Sequence, residues 1–211
     1  MGADIRAVVW DFGGVISSSP FEAFAAYEAA RGLPVGLLRR VNATRPDDNA
    51  WARFERSEID LEAFDAAFRA ESAALGHAVP GREVIALLGG TIRPQMVQAL
   101  RRLRERLKIG LITNNVAAPS ATGADAPGRD AVLPLFHHVI ESAKVGLRKP
   151  DPRIYKMMVE TLQVDPNKCV YLDDLGVNLK PAREMGMTTI KVVNAAQAIG
   201  ELEAATGLML R

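Results

Sequence analysis

Residues 8–16 read VVWDFGGVI: three apolar residues, an acid, and a pair of glycines one residue further on. A short apolar run that stops on Asp11 and turns at Gly13 and Gly14 has the form of a buried strand ending in a tight loop. Four more runs of this kind follow, so that strands are expected at 7–10, 109–112, 138–141, 169–172 and 189–193. Helical patterns occupy 94–107, 153–162, 178–185 and 195–206, with Gly186 and Gly207 where C-terminal glycines belong. Strand and helix in alternation predict an α/β fold around a parallel sheet.

Almost a hundred residues separate the first strand from the second, far more than one crossover needs. Ser19-Pro20-Phe21-Glu22 carries a Ser N-cap, Pro at the first helical position and Glu three residues after the cap, which predicts a helix start. Phe21, Phe24 and Tyr27 would form its apolar face. A second helix is expected over 60–75, with Leu61, Phe64, Phe68 and Leu75 on one stripe and Gly76 as its stop, and Trp51 and Phe54 suggest another between them. The segment 17–88 is therefore expected to be an inserted helical subdomain whose aromatics form its own core, against a main domain of 1–16 and 89–211. The stretch 116–131, rich in Ala, Gly, Pro and Asp, is expected to be a mobile surface loop.

The 211 residues, 48% hydrophobic and 24% charged, are those of a folded globular chain. A net charge of +1 offers no general attraction to nucleic acid or anionic membrane, so any anion must be bound locally. The single cysteine, Cys169, opens a strand and is expected to be a core residue. With no secretory pattern at the start and no apolar run long enough to span a bilayer, a soluble cytoplasmic protein is expected.

In a parallel sheet the loops after the strands meet at one edge. Here they would bring together Asp11, then Thr113, Asn114 and Asn115, then Lys149, then Asp173 and Asp174. Taken singly, each is an ordinary turn or cap residue; jointly they point to chemistry. Three carboxylates drawn together repel or rise in pKa unless a cation sits among them, and oxygen donors without clustered His or Cys favour Mg²⁺. Lys149 can keep Asp11 ionised and offset charge on a bound phosphoryl group, while Thr113 and Asn114 can donate to its oxygens. Gly13 and Gly14 leave backbone amides uncovered for an anion. An Asp carboxylate can attack phosphorus to form an aspartyl-phosphate that water hydrolyses, with Asp11 as the nucleophile.

VVWDFGGVI (8–16), LITNN (111–115), ESAKVGLRKPDPRIY (141–155) and VYLDDLGVNLKPAREMGM (170–187) resemble, in order and rough spacing, the four motifs of the haloacid dehalogenase (HAD) superfamily. The last two resemble especially the phosphatase domain of soluble epoxide hydrolases and the corresponding domain of the acyl-CoA dehydrogenase family member ten group. The resemblance implies a Rossmann-like core with a helical cap inserted after the first strand, closing over a Mg²⁺-dependent hydrolase site for a small phosphorylated substrate. It implies that Asp11 is nucleophile and metal ligand, that Thr113 and Asn114 hold phosphate, and that Lys149 is the third-motif lysine. It also implies Asp174 and the Gly13 carbonyl as metal ligands, Asp173 mostly behind them, and Asn178 near the site.

One departure stands out. Phosphatases of this superfamily usually carry an acid/base Asp two residues after the nucleophile, where this chain has Gly13. Losing a positioned acid costs on the order of 10²–10⁴ in rate unless the leaving group departs easily. A slow or selective phosphatase is expected. The alternatives are a 2-haloacid dehalogenase, whose leaving halide needs no proton, and a non-catalytic module that binds metal and phosphate ligands. His77, His137 and His138 are expected to be surface or packing residues, and Arg39, Arg40, Arg53 and Arg56 solvated helix faces.

Overall fold

The computed structural model describes residues 4–116 and 128–211. In chain order β1 (Ala7–Trp10) is followed by five helices, α1 (Pro20–Ala30), α2 (Leu37–Ala43), α3 (Ala50–Glu55), α4 (Leu61–Ala74) and α5 (Gly81–Ile85). Then come α6 (Pro94–Arg104), β2 (Lys108–Thr113), α7 (Arg129–Val132), β3 (His138–Glu141), α8 (Ser142–Val145), α9 (Pro152–Leu162), β4 (Cys169–Asp173), α10 (Gly176–Glu184), β5 (Thr188–Lys191) and α11 (Ala195–Thr206). The strands form one sheet ordered β3-β2-β1-β4-β5, every neighbouring pair parallel. This is the Rossmann-like α/β fold.

The sheet is covered on both faces, and the period-two alternation of its central strands feeds both cores. Val8, Trp10, Leu111 and Leu172 pack with Leu100 of α6 and Leu202 of α11 on one side. Val9, Ile112 and Tyr171 pack with Tyr155 and Met158 of α9 and Leu179 of α10 on the other. Gly110 permits that second layer, since a methyl group there would sit 2.5 Å from Met158 Sδ. β1 lies at the centre, with Trp10 level with Leu111 and Leu172. The next residues, Asp11 and Asp173, are thereby brought side by side.

Helices α1–α5 have a core of their own, centred on Phe24, Leu38, Phe54, Phe64 and Phe68. Phe54 stacks on Phe64 at 4.6 Å, and Trp51 meets Phe64 edge-on at 5.6 Å. Glu28 is buried because it works across elements: its carboxylate accepts from the Gly36 and Leu38 amides at the start of α2. The chain leaves and re-enters the sheet domain side by side, Ser17 bridging Ile92 and the Ser18 amide donating to Thr91 O at 2.8 Å.

Several local expectations are corrected. Ser19 precedes α1, but its hydroxyl makes no capping bond and donates instead to Asp174 Oδ2 at 3.3 Å. Leu75 is not on the buried stripe of α4. It lies just past the helix end and is 42% exposed, and the position one turn after Phe68 is Ser72, whose Oγ accepts from the Val79 amide. Helices α2, α5, α7 and α8 went unpredicted; at seven residues or fewer they are too short to display a period. α6 ends at Arg104, α10 begins at Gly176 and β5 covers Thr188–Lys191, each a few residues from the expected bounds. Of the expected loop 116–131, residues 117–127 lie outside the described residues, and Arg129–Val132 is helical. Among the described residues no helix is long and apolar enough to cross a membrane.

Candidate functional site

Asp11 continues the β1 ladder, its amide donating to Leu172 O at 2.9 Å, so its carboxylate stands at the carboxyl edge of the sheet beside the end of β4. Lys149, delivered by the loop before α9, is 1% exposed and reaches both acids: Nζ is 2.7 Å from Asp11 Oδ1 and 2.7 Å from Asp173 Oδ2. Asp173 is fully buried and saturated with donors. Besides Lys149 it accepts from Tyr171 Oη at 2.6 Å, Asn178 Nδ2 at 3.1 Å and the Leu175 amide at 2.8 Å. Asn178 is in turn anchored by Tyr155, whose hydroxyl donates to Asn178 O at 2.7 Å.

Asp11, Asp173 and Asp174 each offer a carboxylate oxygen, all within 4.8 Å of one another. One ammonium cannot balance three such charges. Burial pushes Asp11 up to about 8, with Asp173 and Asp174 adding to the rise against the opposing pull of Lys149. Asp174 rises to about 6, chiefly through burial and then the charge of Asp173. Lys149 is raised as well: burial disfavours its charge, but Asp11 and Asp173 outweigh it and hold it firmly protonated. With Asp173 absorbed by protein donors, Asp11 and Asp174 are the acids with charge left to share, and a hard divalent cation fits that all-oxygen pair.

The two glycines differ. Gly14 has φ +75° and a methyl group there would lie 2.2 Å from Asp174 Oδ2; its amide donates to Ser18 O at 3.3 Å and its carbonyl accepts from Arg93 Nη1 at 2.8 Å. The expectation of an open amide therefore fails at Gly14, whose backbone is spent on its own turn. At Gly13 a methyl group would meet nothing within 4 Å, and among the described residues the Phe12 and Gly13 amides carry no hydrogen bond. These amides are the ones available to an anion.

Thr113 ends β2, 6% exposed, with no side-chain hydrogen bond among the described residues. Asn114 corrects the expectation that its side chain donates to phosphate. Its Nδ2 donates to Lys149 O at 3.0 Å and Glu55 Oε2 at 3.2 Å, while its Oδ1 accepts from the Lys149 amide at 2.8 Å. The side-chain amide is thus committed to the lysine loop and to Glu55 of α3, which leaves its main-chain N–H as its donor. Asn115 braces too, donating to Glu141 Oε1 at 3.2 Å and accepting from the Ala143 amide at 3.2 Å.

A cavity of about 640 Å³ opens on these residues and is closed on the other side by α1–α3. Sequence reasoning missed Glu55, a buried acid on this wall that accepts from Arg148 Nε at 2.6 Å, Trp51 Nε1 at 2.9 Å and Asn114. Its partners lie as far as 93 residues away, a pairing that leaves no local pattern. Arg39 is exposed, as expected of a solvated helix face, and also borders the cavity, whereas Arg40, Arg53 and Arg56 do not. None of the three histidines borders it; His137 Nδ1 accepts from the Ile109 amide at the sheet edge.

A protein-family model described as haloacid dehalogenase-like hydrolase matches residues 5–186. The chain is 34% identical to acyl-CoA dehydrogenase family member 10 of Mus musculus, over 99% of this chain and 20% of that protein. It is 35% identical to bifunctional epoxide hydrolase 2 of Sus scrofa, over 98% of this chain and 40% of that protein. The chain thus spans less than half the length of either relative. In fold it is similar to a HAD family enzyme of Bacteroides thetaiotaomicron in complex with magnesium and inorganic phosphate, with TM-score 0.62 at 20% identity, covering 94% of this chain and 98% of that one. By the match over most of its length, and by a parallel sheet whose strand ends carry the acids and the lysine, the chain belongs to the haloacid dehalogenase-like hydrolases.

Proposed function

We propose that this hydrolase is a Mg²⁺-dependent phosphatase acting on a small phosphomonoester, with Asp11 as nucleophile and residues 17–88 as a cap over a core of 1–16 and 89–211. The crowding of Asp11, Asp173 and Asp174 around one buried ammonium carries the proposal. The magnesium and phosphate bound by the Bacteroides enzyme support it. Asp11, Asp174 and the Gly13 carbonyl would hold the cation. When bound, Mg²⁺ supplies positive charge that neutralises these acids and the transferring phosphoryl oxygens.

Lys149 draws Asp11 toward its ionised form against the push of burial and ties down its Oδ1, so attack falls to the other carboxylate oxygen. That oxygen bonds to phosphorus as the bond to the leaving oxygen breaks, giving an aspartyl-phosphate and an alcohol that draws its proton from solvent. The Thr113 hydroxyl and the open amides of Phe12, Gly13 and Asn114 donate to the phosphoryl oxygens. Water then attacks phosphorus, releasing inorganic phosphate and restoring the Asp11 carboxylate. With Gly13 supplying no acid, turnover favours leaving groups that depart without protonation. Glu55 does not replace that acid, because its carboxylate is occupied by donors from Arg148, Trp51 and Asn114. A cytoplasmic setting belongs to the same proposal, supported by a free, buried Cys169.

The purified chain is expected to hydrolyse p-nitrophenyl phosphate or acetyl phosphate with Mg²⁺ and not with EDTA, and Asp11→Asn to abolish turnover. EDTA-insensitive hydrolysis overturns the metal role. The missing acid at Gly13 favours one other reaction, dehalogenation of a 2-haloacid; metal-free halide release from 2-chloropropionate would establish it. Tight binding of beryllium fluoride without hydrolysis of any phosphoester would make the chain a binding module.

A further inference from the structure

On the cavity wall built by α2, α3 and the link between them, most polar side chains are already answered. Glu55 accepts from Trp51 Nε1 and Arg148. Asn49 is spent on its own turn: Nδ2 donates to Asn42 O at 2.9 Å and Thr44 O at 3.0 Å, and Oδ1 accepts from the Ala52 amide at 2.8 Å. Arg39 and Asp47 are exposed, so water solvates both charges.

Asn42 differs. Its main chain is pinned to the wall by Asn49, yet its side-chain Oδ1 is buried with no partner among the described residues. A buried acceptor without a donor is a cost that a ligand can remove. The terminal torsion of an asparagine is soft, so a slight turn of the amide presents Oδ1 to a bound molecule. Around it the cavity is apolar, bordered by Phe21, Trp51, Leu88 and Leu175. An anion would be repelled by this oxygen, and an ammonium would lose its hydration for one neutral acceptor among apolar walls. A hydroxyl or an amide N–H satisfies it without either penalty.

We infer that Asn42 is a specificity-determining residue, which selects phosphomonoesters whose organic part is largely apolar and carries a neutral hydrogen-bond donor. The inference rests on the phosphatase proposal for the reaction but not for the binding.

The test uses alkylphosphonates, whose carbon–phosphorus bond the proposed reaction does not cut. Calorimetry with Mg²⁺ and the unmodified chain compares hydroxyl, methoxy and ammonium ends over a ladder of chain lengths. At the length that reaches Asn42, the hydroxyl is expected to bind on the order of 10-fold more tightly than the methoxy, which accepts but cannot donate. Asn42→Leu should erase that preference, and Arg40→Ala, on the same helix but outside the cavity, should leave it intact. Without any ligand, Asn42→Leu should hold or raise the melting temperature, because it removes an unpaired acceptor and keeps its volume. A lowered melting temperature, equal binding of hydroxyl and methoxy at every length, or a preference that survives Asn42→Leu overturns the assignment. So does a stronger ammonium, which would move the contact to Asp47. Failure of the phosphatase proposal shows separately, as absence of turnover on the matching phosphate esters.

Discussion

Gly14 and Asp174 touch so closely that a single methyl group on the glycine would stand 2.2 Å from the carboxylate oxygen. The φ of +75° at Gly14 adds backbone strain to any substitution. Gly14→Ala is therefore expected to push Asp174 away from Asp11. In a Mg²⁺ titration of activity the half-saturating concentration should rise roughly 10- to 100-fold, the usual effect of disturbing a ligand's support. An unchanged titration midpoint would separate Asp174 from the cation.

Gly13 presents the opposite case, with open space in front of it. Gly13→Asp should fold normally and place an acid beside the leaving group. Hydrolysis of alkyl phosphates is expected to quicken by roughly 10²-fold, with little change for acetyl phosphate, whose leaving group needs no proton. Equal effects on both substrates would show that protonation is not what this site lacks.

Lys149→Met keeps the length of the side chain and removes the ammonium shared by Asp11 and Asp173. Leaving buried acids without their partner costs about 3–5 kcal/mol. Thermal unfolding without metal should shift to clearly lower temperature, and Mg²⁺ should recover more stability in the variant than in the parent chain. A melting temperature unaltered by the substitution would mean that the acids are already neutral.

Glu55 ties α3 to the lysine loop through Arg148 and Asn114. Glu55→Gln cancels the charge but can still accept from one donor, so the fold should persist while kcat falls and KM rises together. The control is Glu58→Gln, whose exposed pair with Arg56 lies outside the cavity and should change neither constant.

Burial, with a further push from Asp165, drives the Cys169 thiol up to about 11. Its folded value lies above the ordinary 9.0, so the group favours the fold at neutral pH and that contribution is lost as pH rises from about 9 through 11. At pH 8 the native chain should react with a thiol reagent such as Ellman's at least tenfold more slowly than the same chain in guanidinium. Equal rates would place the thiol in solvent.

Asp11, Thr113, Lys149, Asp173 and Asp174 were legible in the sequence for a physical reason: each ends or follows a short apolar strand or lies in the loop beyond one, and a parallel sheet gathers such positions at one edge. The sheet itself was legible because its central strands β1, β2 and β4 are buried on both faces. What escaped depends on distant partners. Glu55 and Arg148 meet across 93 residues and Tyr155 and Asn178 across 23, so no window of sequence marks these pairings. Ser19 and Asn114 were misjudged because their local chemistry is ambiguous. A serine before a proline suits a helix cap as well as a carboxylate, and an asparagine amide suits phosphate as well as the neighbouring loop. Tertiary contact chose between them. Leu75 failed because the end of α4, not the arithmetic of its stripe, decided its exposure.

Phe21 and Trp51 are packing partners within the helical segment and, at the same time, surfaces that a bound molecule would meet. Ligand preference and thermal robustness are therefore drawn from one set of side chains. A lineage that trims Trp51 to admit a bulkier guest loosens the scaffold in the same stroke. Drift toward new chemistry should accordingly be slow here, and accompanied by compensating changes around Phe64 and Phe68.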